Sequence, residues 1–183
     1  MIRIVISKFF SNTSQLWGAT PGDRLWREVL RNVSVNVGTP NLVLYDFSEV
    51  EAVNASFLKA SVLPCYRDIG LLDNNVVFPI VCNLNNEVED EFLELLTSRK
   101  LAISQLDNKI TILGNIETML MDTLELLNSL DSSSAPELYK NFDSKIGVTG
   151  WNNRLNELYN LRLVSRKKFG RTWIYKSIAK EVV

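Results

Sequence analysis

Four asparagines, Asn152, Asn153, Asn156 and Asn160, crowd into nine residues of a segment with helical periodicity. At 3.6 residues per turn they share one side with Thr149, while Trp151, Leu155, Leu158 and Tyr159 fall on the other. Asparagine is a mediocre helix former, so this density works against local stability. Its side chain sets a donor beside an acceptor, which suits a base edge, adenine best of all. Arg154 lies on the flank, in reach of a phosphate or a guanine. Downstream, Arg166, Lys167, Lys168 and Arg171 surround Phe169 and Gly170 in a basic hairpin tip, with the glycine expected at positive φ. A solvated helix face that is simply Asn-rich is the plain alternative. The turn before the helix and the basic hairpin after it favour nucleic acid.

The elements that must position these residues can be read outward from them. Ser134, followed by Ala135 and Pro136, marks a helix start, because proline in the first turn forfeits no hydrogen bond. That helix is expected to run through Phe142, and Asp143 to Val148 to form a turn. Thr149 is expected to cap a second helix ending near Leu161. Leu163-Val164-Ser165-Arg166 and Thr172-Trp173-Ile174-Tyr175 read as short strands. Trp151 and Trp173 can stack bases, but their apolar neighbours mark them as core residues. The order of elements from Ala135 to Ile178 resembles the winged helix-turn-helix superfamily. The run from Trp151 to Arg166 is similar to that superfamily's junction between recognition helix and wing, with Leu161-Arg162-Leu163 where many relatives have a glycine. The resemblance implies a helix placed in the major groove of DNA, although some winged helices bind only protein.

Charge follows the same division. Residues 135–183 hold ten Lys and Arg against four acids, a balance of +6, so residues 1–134 carry −7. A basic end and an acidic end are hidden in a net charge of −1. Such asymmetry points to polyanion binding by the basic end.

Several chemistries are excluded. The chain has no histidine, which removes Ser-His-Asp and Cys-His catalysis and the commonest metal ligand. Gly18 to Asp23 lacks the Lys-Ser/Thr of a phosphate-binding loop. Cys65 and Cys82 stand in apolar surroundings without metal-ligand spacing and read as buried thiols of a cytoplasmic protein. No apolar run is long enough for a membrane helix, and Met1 to Phe10 alternates as a strand would, unlike a signal peptide. No enzyme, cofactor, metal or membrane role is expected.

The acidic half alternates strands and helices, which implies an α/β layer structure with a partly parallel sheet. Residues 2–10, Asn41 to Phe47 and Val76 to Asn83 read as strands, with Pro79 placing the last near an edge or bulge. Helices are expected from Pro21 with Leu25, Trp26, Val29 and Leu30 inward, from Ser56 to Ile69 with a disturbance at Pro64, and from Glu87 to Arg99 with Phe92, Leu93, Leu95 and Leu96 inward. Asp46, Glu49 and Glu51 form an acidic group at a strand end, where a carboxylate usually bonds backbone amides instead of doing catalysis. The stretch from Val43 to Leu58, with Asp46-Phe47, a turn, and a helix starting after Asn54, resembles the STAS domain of bacterial anti-sigma-factor antagonists. It is closer still to the STAS-like family with an Asp-Phe … Ser-Phe-Leu pattern. The resemblance implies a domain for protein interaction or sensing. Ala55 occupies the position that antagonists phosphorylate, leaving Ser56 as the neighbouring hydroxyl. Ser56 is expected to cap the helix Phe57–Ile69 in preference to being phosphorylated.

Between the halves, where the domain boundary is expected near residues 100–115, Leu106 to Ile112 reads as a strand or hairpin. Asn115 or Thr118 precedes a helix to about Leu130 with a broad apolar face, either the first helix of the winged domain or long enough to join a dimer interface. The polar run Asp131 to Ser134 is short enough to be a loop. The expected architecture is therefore α/β: a STAS-like α/β sandwich-type domain over residues 1–105, then a winged helix, mostly α with a β-hairpin wing, over 106–183. The expected function is transcriptional regulation through double-stranded DNA, with Thr149, Asn152, Asn153, Arg154, Asn156, Arg166, Lys167, Lys168 and Arg171 in contact and a homodimer on two half-sites. The STAS-like domain would mediate dimerisation or read a protein partner. The alternative is a non-enzymatic adaptor of partner-switching type, in a defence or mobile-element system, whose winged helix docks protein.

Overall fold

The computed structural model describes residues 1–10, 13–33, 39–67, 76–142 and 145–182. Two compact units divide the chain after Asn115. Both helices and a mixed parallel and antiparallel sheet are present, so the α/β class expected from the sequence holds. No helix among the described residues is long and apolar enough to cross a membrane.

The first unit opens with β1 (Ile2–Val5), which gives way at once to a helical turn, α1 (Ile6–Phe9). The alternation through Phe10 therefore does not continue as one strand. There follow β2 (Gln15–Leu16), α2 (Ala19–Asn32), β3 (Asn41–Asp46), β4 (Ala52–Val53) and α3 (Ala55–Ser61). A 3-10 turn at Leu63–Tyr66, β5 (Val77–Cys82), α4 (Asn86–Arg99), β6 (Ala102–Leu106) and β7 (Ile110–Gly114) complete it. The main sheet runs β1-β3-β5-β6-β7, parallel except for the final β6–β7 hairpin. Because β7 pairs with β6, the unit boundary lies later than the 105/106 division expected from the sequence. That division would cut the hairpin in two.

Right-handed crossovers between neighbouring parallel strands place their helices on one face. One apolar cluster accordingly joins Leu25 and Val29 of α2, Phe57 and Leu58 of α3, and Phe92, Leu95 and Leu96 of α4 to alternate strand residues Val43, Tyr45, Val77, Val81 and Ile103. Each large side chain buried in this way contributes roughly 1.5–3 kcal/mol. Leu30 and Leu93, expected inward, are exposed, since the buried stripes are narrower than the apolar ones. Pro79 does not lie on an edge strand: β5 is central, and Pro79 pairs with Val43 of β3. The ladder to β6 begins only at Ile80, so the missing N–H falls where β5 is paired on one side. Gly22 lets α2 and α3 approach closely, because a Cβ there would lie 2.5 Å from the Phe57 carbonyl oxygen and 2.7 Å from Ala60 Cβ.

Helix α3 starts directly after Asn54, as the Val43–Leu58 stretch suggested, and one residue ahead of the Ser56 start. Asn54 is its N-cap, with Oδ1 accepting from Phe57 N at 2.9 Å and from Gly18 N at 3.1 Å. Ser56 is therefore not the cap; it is exposed in the first turn. The regular helix ends at Ser61, ahead of the 3-10 turn holding Pro64, and the expected end at Ile69 lies outside the described residues. Asn85 caps α4 from Val88 N at 2.9 Å and donates its Nδ2 to the carbonyls of Val50 and Glu51, each at 2.9 Å.

The second unit holds α5 (Thr118–Ser129), α6 (Ala135–Asn141) and α7 (Val148–Asn160). The hairpin β8 (Val164–Phe169) and β9 (Thr172–Ser177) and the short α8 (Ile178–Glu181) follow. Ser134 caps α6 in a full capping box with Glu137, as its spacing to Pro136 suggested. Ser133 pairs with Tyr175, adding a single bridge to the β9 edge. The Ser177 hydroxyl donates to Asn128 Oδ1, which ties β9 to α5.

Candidate nucleic-acid interface

Helix α7 has the two faces its sequence spacing requires. Trp151, Leu155, Leu158 and Tyr159 are buried, whereas Thr149, Asn152, Asn153 and Asn160 are exposed. The helix starts at Val148 with Gly147 as N-cap, and no side chain caps it. Thr149 is therefore a first-turn residue and not the cap. Part of the expected preceding turn, Asp143 and Ser144, lies outside the described residues.

At the C-terminus of α7 an arginine takes the place that glycine favours. Arg162 N–H donates to the Tyr159 carbonyl at 2.9 Å, and Leu163 N–H to the Leu158 carbonyl at 3.0 Å. These two bonds make a Schellman motif, whose turn residue adopts the left-handed conformation that glycine favours. Arg162 occupies that place at φ 60°. Its side chain is buried: Nη1 donates to the Tyr159 carbonyl at 3.1 Å, and the guanidinium lies 5.5 Å from the Tyr159 ring centre. Helix α4 ends in the same way, with Lys100 at φ 53°, but Lys100 is exposed.

From this joint the chain enters β8, whose register with β9 pairs Arg166 with Tyr175, Lys167 with Ile174, Lys168 with Trp173 and Phe169 with Thr172. Directly opposed residues share a sheet face. Arg166 and Lys168 thus lie on the face of Trp173 and Tyr175, and Lys167 on the face of Phe169. Gly170 and Arg171 form the two-residue connection, and Gly170 has the positive φ, 61°, expected of it.

The cations differ in what surrounds them. The Arg166 guanidinium lies between two rings, 3.9 Å from the centre of Tyr159 and 4.3 Å from that of Trp173, and donates to Asn156 Oδ1 at 3.2 Å. Arg154 lies over Trp151 at 5.4 Å, and Lys168 over Trp173 at 5.7 Å. Lys167, Lys168 and Arg171 are exposed along the hairpin.

Asn156 stands apart from the other asparagines of α7. Its Oδ1 accepts from Arg166 and also from the buried Tyr175 hydroxyl at 2.8 Å. An acceptor engaged twice within the fold is not presented to an adenine, which needs donor and acceptor together. In this arrangement Asn156 and Arg166 hold the hairpin against α7. The sequence carried one signal for this network: strand alternation turns Tyr175 inward, and a buried tyrosine hydroxyl needs a partner.

Within the first unit, the acidic group resolves into one buried residue and two exposed ones, Glu49 and Glu51. Asp46 Oδ1 accepts from Ser48 N at 3.0 Å and from Asn83 Nδ2 at 2.7 Å, while Oδ2 accepts from Arg3 Nη2 at 2.6 Å and Nε at 3.0 Å. Burial pushes the Asp46 carboxyl up, but the hydrogen bonds from Asn83, Ser48 and Arg3 outweigh it and hold it at about 2. Cys82, at the matching strand position, is pushed up to about 11 by burial and then by the Asp46 charge. The carboxylate is saturated by partners and the thiol stays protonated near neutrality, an arrangement that secures the strand ends. Compared with known proteins, the chain matches no family model, no curated protein and no solved structure.

Proposed function

We propose that the second unit is a winged helix-turn-helix that binds double-stranded DNA, and that the chain is a transcriptional regulator. Helix α7 enters the major groove. Thr149, Asn152 and Asn153 meet base edges, and Arg154 meets a phosphate or a guanine. Lys167, Lys168 and Arg171 reach the phosphate backbone from the hairpin. Asn156 and Arg166 act one step behind, fixing the hairpin relative to the helix. The first unit, read as STAS-like, brings two copies together or receives a protein partner; Ser56 is open to modification there, without an assigned role.

One observation carries this reading: exposed asparagines line the helix whose opposite face is core, and an exposed basic hairpin follows it directly. The test is fluorescence anisotropy on a duplex of roughly three helical turns, titrated from low to physiological salt. Binding is expected to fall steeply with salt, and the slope to flatten when Lys167, Lys168 and Arg171 become alanine. No binding at low salt, by the full chain or by residues 116–183, would sink the reading and favour an adaptor whose second unit docks protein.

A further inference from the structure

The hairpin tip carries more than charge. Phe169 is 80% exposed, the most exposed large apolar side chain among the described residues. It sits between Lys168 and Gly170, shares its face with Lys167, and precedes Arg171 across the turn. We infer that Phe169 is an apolar wedge that enters the minor groove of bound DNA and partly unstacks a base step, bending the duplex. This deepens the DNA-binding reading above and rests on it.

A ring held in water has no packing reason to be there, since nothing in the hairpin covers it. Exposing an aromatic ring wastes about as much hydrophobic free energy as burying it would yield. The hairpin behind it is stiff. Six residue pairs lead to the tip, Gly170 at φ 61° makes the turn tight, and the Arg166 guanidinium between Tyr159 and Trp173 braces the base. A stiff arm delivers a ring without first having to order it. The surroundings select the partner: Lys167, Lys168 and Arg171 call for an anionic rim, and Phe169 calls for an apolar interior. A DNA groove has both, with phosphates along its walls and stacked bases within. Pyrimidine–purine steps, TA above all, are the cheapest to unstack, so they are the expected sites of insertion. An anionic membrane also pairs a charged rim with an apolar interior, but it offers no role to the exposed asparagines of α7.

The experiment combines binding and shape on the same duplex, rich in TA steps and labelled at both ends for energy transfer. Anisotropy reports binding, and transfer efficiency reports the bend. Wild-type protein is expected to bind and to bring the ends together. Phe169→Ala is expected to bind roughly tenfold more weakly, with an unchanged salt slope and the end-to-end distance of free DNA. Phe169→Leu, which keeps an apolar wedge, is expected to restore the bend. Because the side chain is exposed, both variants should keep the wild-type circular dichroism. Binding without a bend, or an equal bend from Phe169→Ala, would overturn the wedge and leave the DNA-binding reading standing. Absence of binding by anisotropy removes both. Phe169-dependent binding to phosphatidylserine vesicles, with DNA binding indifferent to Phe169, would assign the tip to a membrane instead.

Discussion

The two units use asparagine in opposite ways. In the first, Asn54 and Asn85 stand at helix N-caps, where the side-chain oxygen accepts from an amide that the helix leaves open. Each also ties its helix to another segment, Asn54 through Gly18 N and Asn85 through the Val50 and Glu51 carbonyls. In the second, Asn152, Asn153 and Asn160 lie inside α7, where their helix propensity is a cost of several tenths of a kcal/mol each relative to alanine. They are exposed there, and none of them is a cap. A residue that lowers stability without structural return is where a contact with something outside the fold is to be sought. Asn156 lies between the two uses, being on the exposed side by sequence spacing yet bonded inward.

Substitutions separate these uses, and the largest effect belongs to a cap. Asn85→Ala removes an accepted bond and two donated ones, and is expected to lower stability by about 2–3 kcal/mol in denaturant unfolding. Asn156→Ala should cost about 2 kcal/mol, because the Tyr175 hydroxyl and Arg166 lose a shared acceptor in a half-buried setting. It should also weaken binding to preferred and random DNA alike, the signature of a positioning residue. A drop confined to the preferred sequence would return Asn156 to base reading.

Acid tests the first unit's other polar anchor. The Asp46 carboxyl is held at about 2, below its ordinary 3.8, so the stability it contributes is present above the ordinary value and lost as pH falls through about 2. That contribution is on the order of 2 kcal/mol, lost between about pH 4 and pH 2. Asp46→Asn should unfold with a flatter pH profile across this window, and an unchanged profile would remove the anchor.

Smaller effects come from the two left-handed helix ends. Lys100→Gly should raise stability by about 1 kcal/mol, since it relieves the backbone without losing a buried contact. Arg162→Gly should gain less or lose, because the Nη1 bond and the Tyr159 contact go with the side chain. Smallest in stability are Asn152→Ala and Asn153→Ala, each expected to leave thermal unfolding unchanged or raised by a few tenths of a kcal/mol. On the preferred DNA sequence each should cost about 1–3 kcal/mol, with little change on random DNA. Equal losses on both would break the contrast between the two asparagine sets.

The amino-acid sequence alone determined the features that depend on neighbours along the chain. The Ser134 cap with Pro136, the buried stripe of α7, the positive φ at Gly170 and the Asp46–Ser48 turn each follow from local spacing and residue type. The alternation of strands and helices likewise announced a partly parallel sheet. Contacts between distant segments were decided by tertiary structure. Only the pairing of β6 with β7 places the unit boundary at Asn115, and only the order of the sheet makes the Pro79 strand central. Asn54 caps α3 through a local bond to Phe57 N, and Gly18, far along the chain, adds a second donor to the same oxygen. Asn156 and Arg166 bond to each other and meet Tyr175 and Trp173 because β9 lies beside α7. Periodicity tells which side of an element a residue occupies, but what lies on that side depends on which other segment the chain folds against it.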